Sequence, residues 1–323
     1  MKLPYFLIIG AAKSGTTTLY QYLCRHPQVY MSTPKEPEFF ARDDRYAKGI
    51  EWYASLFSQA EPHQICGEAS TIYTLWPHFP ETAARIARWL PHVKLIYVMR
   101  HPVDRAYSYY VQLIKNAQNT RRQLKIIKTF EESINPDVMP DVMQVVPPPV
   151  PDPKIVDSHL PKCPGLYLDG SDYIQQIEQY LQFFPREAFL FLLMEDLIQS
   201  PADSIKRVFK FLEIDDEFDV IRDNPIAANQ TRTHTNWFLR SRITAPLKKI
   251  PGIYRTAKLL PQGTRDQVYH LLKRLPYYNA QVEKQYLPQP MRPETRQMLL
   301  EKFCQPNQRL AEFLNRDLSH WSK

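Results

Sequence analysis

Glycine is scarce in this sequence: the 323 residues include eight glycines against 29 prolines. Because glycine tolerates backbone conformations that other residues resist, each of the few is expected to serve a turn or a close approach. Cysteine is also scarce, with four residues, no CxxC pair and no metal-binding spacing. Cys24 and Cys66 stand in apolar contexts and are expected to be buried free thiols, which fits a reducing, cytoplasmic compartment.

Long hydrophobic runs are absent as well. No segment approaches the roughly 20 apolar residues that a membrane-spanning helix needs. The apolar run at 3–12 is too short, and it leads directly into a loop of interest, so we interpret it as a strand rather than a signal peptide.

A net positive charge is missing from most of the chain, although the net charge of the whole is +7. The tract 235–284 contains ten Lys or Arg and two acidic residues, so the remainder is close to neutral. A nucleic-acid partner is therefore not expected, since such proteins carry a basic stripe over the main fold. The tract could close over a cofactor, bind an acidic acceptor, make peripheral contact with a membrane or form a solvated helical face.

Apolar runs alternate with helix-like patterns. "YFLIIG", "VKLIYVMR" and "AFLFLLMEDL" are typical of buried strands, whereas "PQVYMSTPKEPEFFARDD" is interpreted as a loop. Helices are predicted after each strand, with Ser200 as the N-cap of one of them. The alternation favours an α/β fold with a central, mostly parallel sheet and helices on both faces. We predict a single domain over 1–323, with a proline-rich insertion at 116–164 and a basic helical insertion at 235–284.

The clearest motif is "GAAKSGTTT", residues 10–18, between the first strand and its helix. Backbone N–H groups at a helix N-terminus, together with the helix dipole, form an anion site. Lys13 adds a full charge, Gly15 lets the backbone close on the anion, and the threonines add hydroxyls. The motif therefore predicts a P-loop-like phosphate or sulfate site.

The order of residues differs from the ATP loop GxxxxGK[ST], because Lys13 precedes the second glycine. ATP and GTP enzymes also hold Mg²⁺, typically with an Asp after a neighbouring strand. Here the strand "KLIYVM" is followed by Arg100, a cation that would repel Mg²⁺ and suit a second phosphate. The pattern favours a nucleotide with an extra phosphate and no metal.

These motifs resemble the sulfotransferases that use 3′-phosphoadenosine-5′-phosphosulfate (PAPS). "KSGTTTLYQYL" is similar to their 5′-phosphosulfate loop, and "VMRHPVDRAYSYY" to their 3′-phosphate motif. "KEPEFF", "GEASTIY" and "GLYLDGSDYIQQIEQYLQFFP" resemble the heparan-sulfate N- and 3-O-sulfotransferases and their bacterial relatives. The resemblance implies a three-layer P-loop-like fold, the donor PAPS, the product 3′-phosphoadenosine-5′-phosphate and no metal. It also suggests a soluble bacterial-type enzyme.

The resemblance implies a role for each matching residue. Lys13 would contact the transferred sulfonate, Arg100 and Ser108 would hold the 3′-phosphate, and Glu36 would be the catalytic base. Arg232 of "NQTRTH" matches a late basic loop at the 3′-phosphate less closely. The 5′-phosphate would be cradled by Ser14, Gly15, Thr16, Thr17 and Thr18.

Two glutamates compete for the role of base. Glu36 lies between two prolines, and Phe39 and Phe40 after it could desolvate it and raise its pKa. Glu68 follows a strand-like segment and could do the chemistry, orient a substrate or pair with Lys13 or Lys35. The family's "EKS" lysine is replaced by Ala69, a loss for which Lys35 could partly substitute.

Alternative functions are a Mg²⁺-dependent kinase or NTPase and a non-enzymatic adaptor for membranes or partners. Arg105 is interpreted as part of a salt bridge on a helix surface. The proline-rich and basic segments are expected to flank the acceptor cleft. The acceptor is left open among sugars, lipids, small natural products and peptides, as are O- against N-sulfation and the oligomeric state.

Overall fold

A computed structural model describes residues 1–119, 129–135, 165–221 and 289–323. Most of the proline-rich segment 116–164 and the whole basic tract 235–284 lie outside the described residues, as do Arg232 and Cys163. The single-domain organisation and the two insertions stay predictions.

The described residues form a five-stranded sheet in which every pair of neighbouring strands is parallel. The strands are β1 (Phe6–Gly10), β2 (Val29–Met31), β3 (Ile65–Ala69), β4 (Lys94–Met99) and β5 (Phe189–Leu193), in the order β2-β3-β1-β4-β5. In the centre, Ile8 lies opposite Ala69 of β3 and Ile96 of β4. Because a parallel sheet is buried on both faces, its strands are continuously apolar, which made β1 and β4 recognisable.

The described helices connect and cover these strands. They are α1 (Thr16–Leu23), α2 (Asp43–Tyr46), α3 (Gly49–Ser55), α4 (Thr82–Trp89), α5 (Pro102–Asn119), α6 (Phe130–Ile134), α7 (Gly165–Asp169), α8 (Tyr173–Leu181), α9 (Met194–Gln199), α10 (Pro201–Leu212) and α11 (Pro293–Leu314). Short 3₁₀ helices occupy Thr71–Thr74, Arg186–Ala188 and Ser319–Ser322.

Alternate residues of the central strands point into two separate cores. Leu7 and Tyr97 face the core shared with α3, α4 and α8, whereas Phe6 and Ile96 face the core shared with α1 and α10. Successive side chains of a strand point to opposite faces, so one strand supplies both cores. This arrangement confirms the predicted three-layer α/β fold.

Several local predictions are wrong. Val29–Met31 forms strand β2 inside the predicted loop, and only three residues at the sheet edge give too short a pattern to recognise. The segment "MEDL" begins helix α9 instead of extending β5, and its two acids lie in the first turn, where the helix dipole favours them. The prediction that Ser200 is the N-cap residue of α10 is confirmed, although its side chain makes no capping hydrogen bond.

The predicted burial of Cys24 and the predicted surface position of Arg105 are also wrong, whereas Cys66 is buried as predicted. Cys24 is exposed, because it lies just beyond the last residue of α1. Arg105 is fully buried, and its Nη1 donates hydrogen bonds to the Ser171 hydroxyl (2.9 Å) and to the Tyr167 carbonyl (3.2 Å). Its guanidinium also lies 5.4 Å from the centre of the Tyr109 ring.

Candidate active site

The loop between β1 and α1 presents an uncapped helix N-terminus. Gly15 is the N-cap residue with φ 92°, a left-handed conformation that a residue with a Cβ adopts at a cost. No side chain caps this end of α1, and the first N–H groups of a helix have no partner within it. The loop therefore offers backbone donors, and the anion site expected there stays a prediction.

Lys13 lies at the centre of the contacts that this loop makes. Its Nζ donates to Gln112 Oε1 of α5 at 3.0 Å. Its carbonyl oxygen accepts a hydrogen bond from Arg100 Nη1 at 3.1 Å. The two cations that sequence analysis assigned to opposite ends of a nucleotide are thus adjacent, one on the loop after β1 and one after β4.

Arg100 is held by its main chain as well. The Tyr173 hydroxyl donates to the Arg100 carbonyl at 2.8 Å and accepts from the Arg100 N–H at 3.3 Å. Ser108 is half-buried on α5, one helical turn before Gln112. Positions four apart share a helix face, so Ser108 lies on the face of α5 that reaches Lys13.

The loop after β2 carries Glu36 to the phosphate loop. Lys35 Nζ lies 2.7 Å from Glu36 Oε1 and 3.3 Å from Thr17 Oγ1. The Glu36 N–H donates to the Ala69 carbonyl at 3.1 Å, which fixes the loop against β3. Lys35 therefore connects the candidate base with the candidate 5′-phosphate loop.

The expected desolvation of Glu36 by its neighbours is wrong. The Glu36 side chain is 38% exposed, whereas Phe39 and Phe40 are buried in the core. Phe39 stacks on Tyr53 with 4.5 Å between ring centres. The chain turns between these residues, so the aromatic rings and the carboxylate point to different environments.

Glu68 has the opposite environment. It is fully buried in β3, and its Oε2 accepts hydrogen bonds from the hydroxyls of Tyr53 and Tyr73, the latter at 3.2 Å. It pairs with these tyrosines rather than with Lys13 or Lys35. Burial raises the pKa of Glu68 to about 7, although the tyrosine hydrogen bonds act in the other direction.

Left-handed backbone is concentrated around these residues. Among the described non-glycine residues, positive φ occurs at Lys13 (70°), Glu36 (60°), Glu38 (57°), Glu213 and Asn315. Glu213 and Asn315 terminate helices, where this conformation is common. The other three lie in the loops after β1 and β2. Strained backbone of this kind costs about 1 kcal/mol or more per residue and accumulates at functional sites.

Sequence reasoning missed three contributors to this site. Gln112 could have been found from its position four residues after Ser108 on a predicted helix. Tyr173 and Tyr53 carry no such signal, since both look like core residues. Their hydroxyl groups acquire a role only when Arg100 and Glu68 come close in space.

The described residues contain no group of three or more His, Cys, Asp or Glu side chains that could hold a metal ion. None of the helices in the described parts of the chain is long and apolar enough to cross a membrane.

Comparison with known proteins gives consistent matches. The family model described as "Sulfotransferase domain" matches residues 3–244. Heparan sulfate glucosamine 3-O-sulfotransferase 5 of Mus musculus is 31% identical over 214 residues, 66% of this chain and 54% of that protein. Bifunctional heparan sulfate N-deacetylase/N-sulfotransferase 1 of Caenorhabditis elegans is 25% identical over 220 residues, 66% of this chain and 22% of that protein. The chain thus spans about half, or less, of the length of these relatives.

A solved structure supports the same architecture. The sulfotransferase from Alicyclobacillus acidocaldarius matches with a TM-score of 0.63 at 22% identity, over 100% of both chains. At this level of identity the likeness concerns the fold.

Proposed function

Because the chain belongs to the sulfotransferase domain family, we propose that it transfers a sulfonate group from PAPS to a hydroxyl or amine of an acceptor. The observation that carries the proposal is the contact of Lys35 with both Thr17 and Glu36. It places a carboxylate beside a loop suited to an anion, which is the arrangement that proton removal during group transfer requires.

The residues of the site fit such a donor. The uncapped N-terminus of α1 and Lys13 suit the 5′ end, and Arg100 with Ser108 suits a 3′-phosphate. Arg232 would add to the 3′-phosphate site from outside the described residues. When bound, the donor supplies an activated sulfonate whose bond to the 5′-phosphate oxygen breaks as the bond to the acceptor forms. Lys13 meets the charge that develops on the bridging oxygen. Sulfate carries less charge than phosphate, so these cations serve without a metal.

We assign the two glutamates different roles within this proposal. Glu36 is exposed at the loop and removes the acceptor proton. Glu68 is buried beneath the loop and positions it, because Tyr73 links the Glu68 carboxyl to the N–H of Phe40 at 3.3 Å. The neighbouring Ser70 hydroxyl accepts from the Glu38 N–H at 3.0 Å, a second link between β3 and the same loop.

The acceptor belongs to the proposal only as a class. The names of the relatives specify heparan sulfate, so we favour a sugar hydroxyl or amine over other natural products. Lys35 partly substitutes for the lysine of the family's "EKS" motif, whose position is occupied here by Ala69. The free thiols of Cys24, Cys66 and Cys304 support a cytoplasmic setting. Incubation with a mass-tagged sulfonate donor and a panel of acceptors would identify the class, and cell fractionation would test the location.

Calorimetric titration tests the donor. We expect 3′-phosphoadenosine-5′-phosphate and PAPS to bind without Mg²⁺ and Mg-ATP to bind weakly. Lys13→Ala should weaken the binding of both PAPS and the bisphosphate, whereas the exposed control Lys48→Ala should leave both unchanged. Binding of Mg-ATP alone would contradict the proposal in favour of a kinase, and binding of none of these nucleotides would favour an adaptor.

A further inference from the structure

Trp321 is almost completely buried, at 1% exposure, within the short 3₁₀ helix Ser319–Ser322. Its ring packs on that of Tyr173 with 5.8 Å between ring centres. Its indole N–H donates to Glu195 Oε1 at 3.0 Å. Trp321 thus contacts two residues from different elements, one at the start of α8 and one in the first turn of α9.

Both of these residues hold the main chain just beyond β4. Tyr173 bonds to the N–H and the carbonyl of Arg100, at 3.3 and 2.8 Å. Glu195 Oε1, the same atom that accepts from Trp321, also accepts from the His101 N–H at 3.3 Å. Because β4 ends at Met99, these backbone groups need partners outside the sheet, and the two side chains supply them.

The segment around Trp321 is itself anchored. Arg296 of α11 donates from Nη2 to the Lys323 carbonyl at 3.0 Å and from Nη1 to Asp104 of α5 at 2.8 Å. Asp104 lies in the first turn of α5, four residues after Arg100. Arg296 therefore connects the segment that carries Trp321 to α5, the helix that follows Arg100 in the chain.

A phosphate-binding arginine presents a planar guanidinium fork in a specific geometry, and its side chain starts from a main chain that has to be held in place. We propose that Trp321, acting through Tyr173 and Glu195, positions Arg100 to bind the 3′-phosphate of the donor. Trp321 is too deeply buried for a direct contact with the nucleotide and acts only through the main chain of Arg100 and His101. This inference rests on the proposed function, since it assumes that Arg100 meets a 3′-phosphate.

The test compares two nucleotides that differ only in that phosphate, 3′-phosphoadenosine-5′-phosphate and adenosine 5′-phosphate. Trp321→Phe keeps an aromatic ring and removes the N–H. We expect it to weaken binding of the bisphosphate about tenfold, because an Arg100 that is held less firmly bonds less well to the 3′-phosphate, and to change binding of the monophosphate less than about twofold. The readout is a ratio from calorimetry, the dissociation constant of the monophosphate divided by that of the bisphosphate.

Further variants separate positioning from folding. Trp89→Phe removes a comparable indole bond, to the Tyr46 hydroxyl at 2.9 Å, on α4, and should leave the ratio unchanged. Glu195→Gln keeps an acceptor oxygen and should retain the ratio, whereas Glu195→Met should lower it as Trp321→Phe does. Glu195→Met and Tyr173→Phe test the same connections if the tryptophan variant does not fold.

The outcomes are distinct. If the wild type binds the bisphosphate no more tightly than the monophosphate, the proposed function fails. If the wild type discriminates but the Trp321 and Glu195→Met variants weaken both nucleotides equally, or neither, the proposed function stands and the positioning role of Trp321 is overturned.

Discussion

At the scale of single residues, the two glutamates of the candidate site show how different the environments of identical side chains can be. Glu36 is partly exposed beside Lys35, in contact with the loop that would carry the donor. Glu68 is enclosed with two tyrosines in the core. A carboxylate that removes a proton from an acceptor must be reached by it, and the exposure of Glu36 is the reason we propose it as the base.

Replacement of Glu36 tests its role as base. We expect Glu36→Gln to bind the bisphosphate product like the wild type and to lose turnover about 10²-fold or more, because the amide cannot accept the acceptor proton. The matched control is Glu38→Gln, since Glu38 bonds instead to Arg42 at 3.3 Å. Near-normal turnover of Glu36→Gln in a sulfonate-transfer assay would remove Glu36 from the role.

The buried Glu68 should make stability depend on pH. Burial raises its pKa from 4.5 to about 7, so the folded chain holds this proton more tightly than the unfolded chain. The stabilisation is complete below about pH 4.5 and is lost as the pH rises to about 7, a change on the order of 3 kcal/mol.

Thermal midpoints between pH 4.5 and 8 measure this effect. We expect the midpoint of the wild type to fall relative to that of Glu68→Gln as the pH rises to about 7, and the difference to stay constant above it. The exposed Glu51→Gln on α3 is the control and should follow the wild type. A wild-type minus Glu68→Gln difference that does not change with pH would contradict the raised pKa.

At the scale of secondary-structure elements, the close packing of β3 against β1 sets the position of the loop that carries Glu36. Gly67 lies opposite Phe6 in the register of the two strands. A Cβ at Gly67 would lie 2.1 Å from Cζ of the Phe6 ring, which is itself fully buried. The carbonyls of Gly67 and Ala69 accept from Ser32 and Glu36, so a shift of β3 would move the loop with it.

Gly67→Ala should therefore destabilise the protein by about 2 kcal/mol or more, because neither the ring nor the strand can move freely. The measurement is the thermal midpoint. Ser58→Ala serves as the control, since Ser58 is exposed and the change adds no atom to the core. Equal midpoints for the two variants would show that β1 and β3 separate easily.

At the scale of the whole molecule, an ion pair joins the segment after α11 to α9, the helix that follows β5. Arg316, just past α11, forms a two-pronged ion pair with Asp196 of α9 at 2.5 Å. The hydrogen bonds from Arg316 lower the pKa of Asp196 below its ordinary value. Stability from this pair is present above about pH 3.8 and is lost as the pH falls through the lower pKa of the folded state.

Arg316→Gln tests how much this ion pair contributes to stability. Because the pair is partly exposed, we expect a loss of only about 1 kcal/mol at pH 7, or roughly 2 °C in the thermal midpoint. The difference from the wild type should shrink below about pH 3.8. Arg309→Gln breaks a more exposed pair with Glu178 and should cost less. An unchanged midpoint for Arg316→Gln would contradict a role for this ion pair in stability.

The sequence by itself determined the strands β1 and β4, the alternation of layers and the two motifs that resemble those of a known family. The comparisons confirm the family that these motifs resemble. Such features are local: continuous apolar runs and a glycine–lysine–threonine order can be read within about ten residues. The parallel arrangement then places the ends of β1 and β4 at one edge, which explains why Lys13 and Arg100 meet.

Only the tertiary structure decided which residues are buried and what they contact. Arg105 resembles a surface residue in sequence and is fully enclosed, whereas Glu36 is exposed although two phenylalanines follow it. Lys35 meets Thr17. Trp321 is connected to the main chain of Arg100 and His101 through Tyr173 and Glu195, which lie more than a hundred positions before Trp321. Burial and pairing depend on contacts between distant segments, and no local pattern of residue types encodes those contacts.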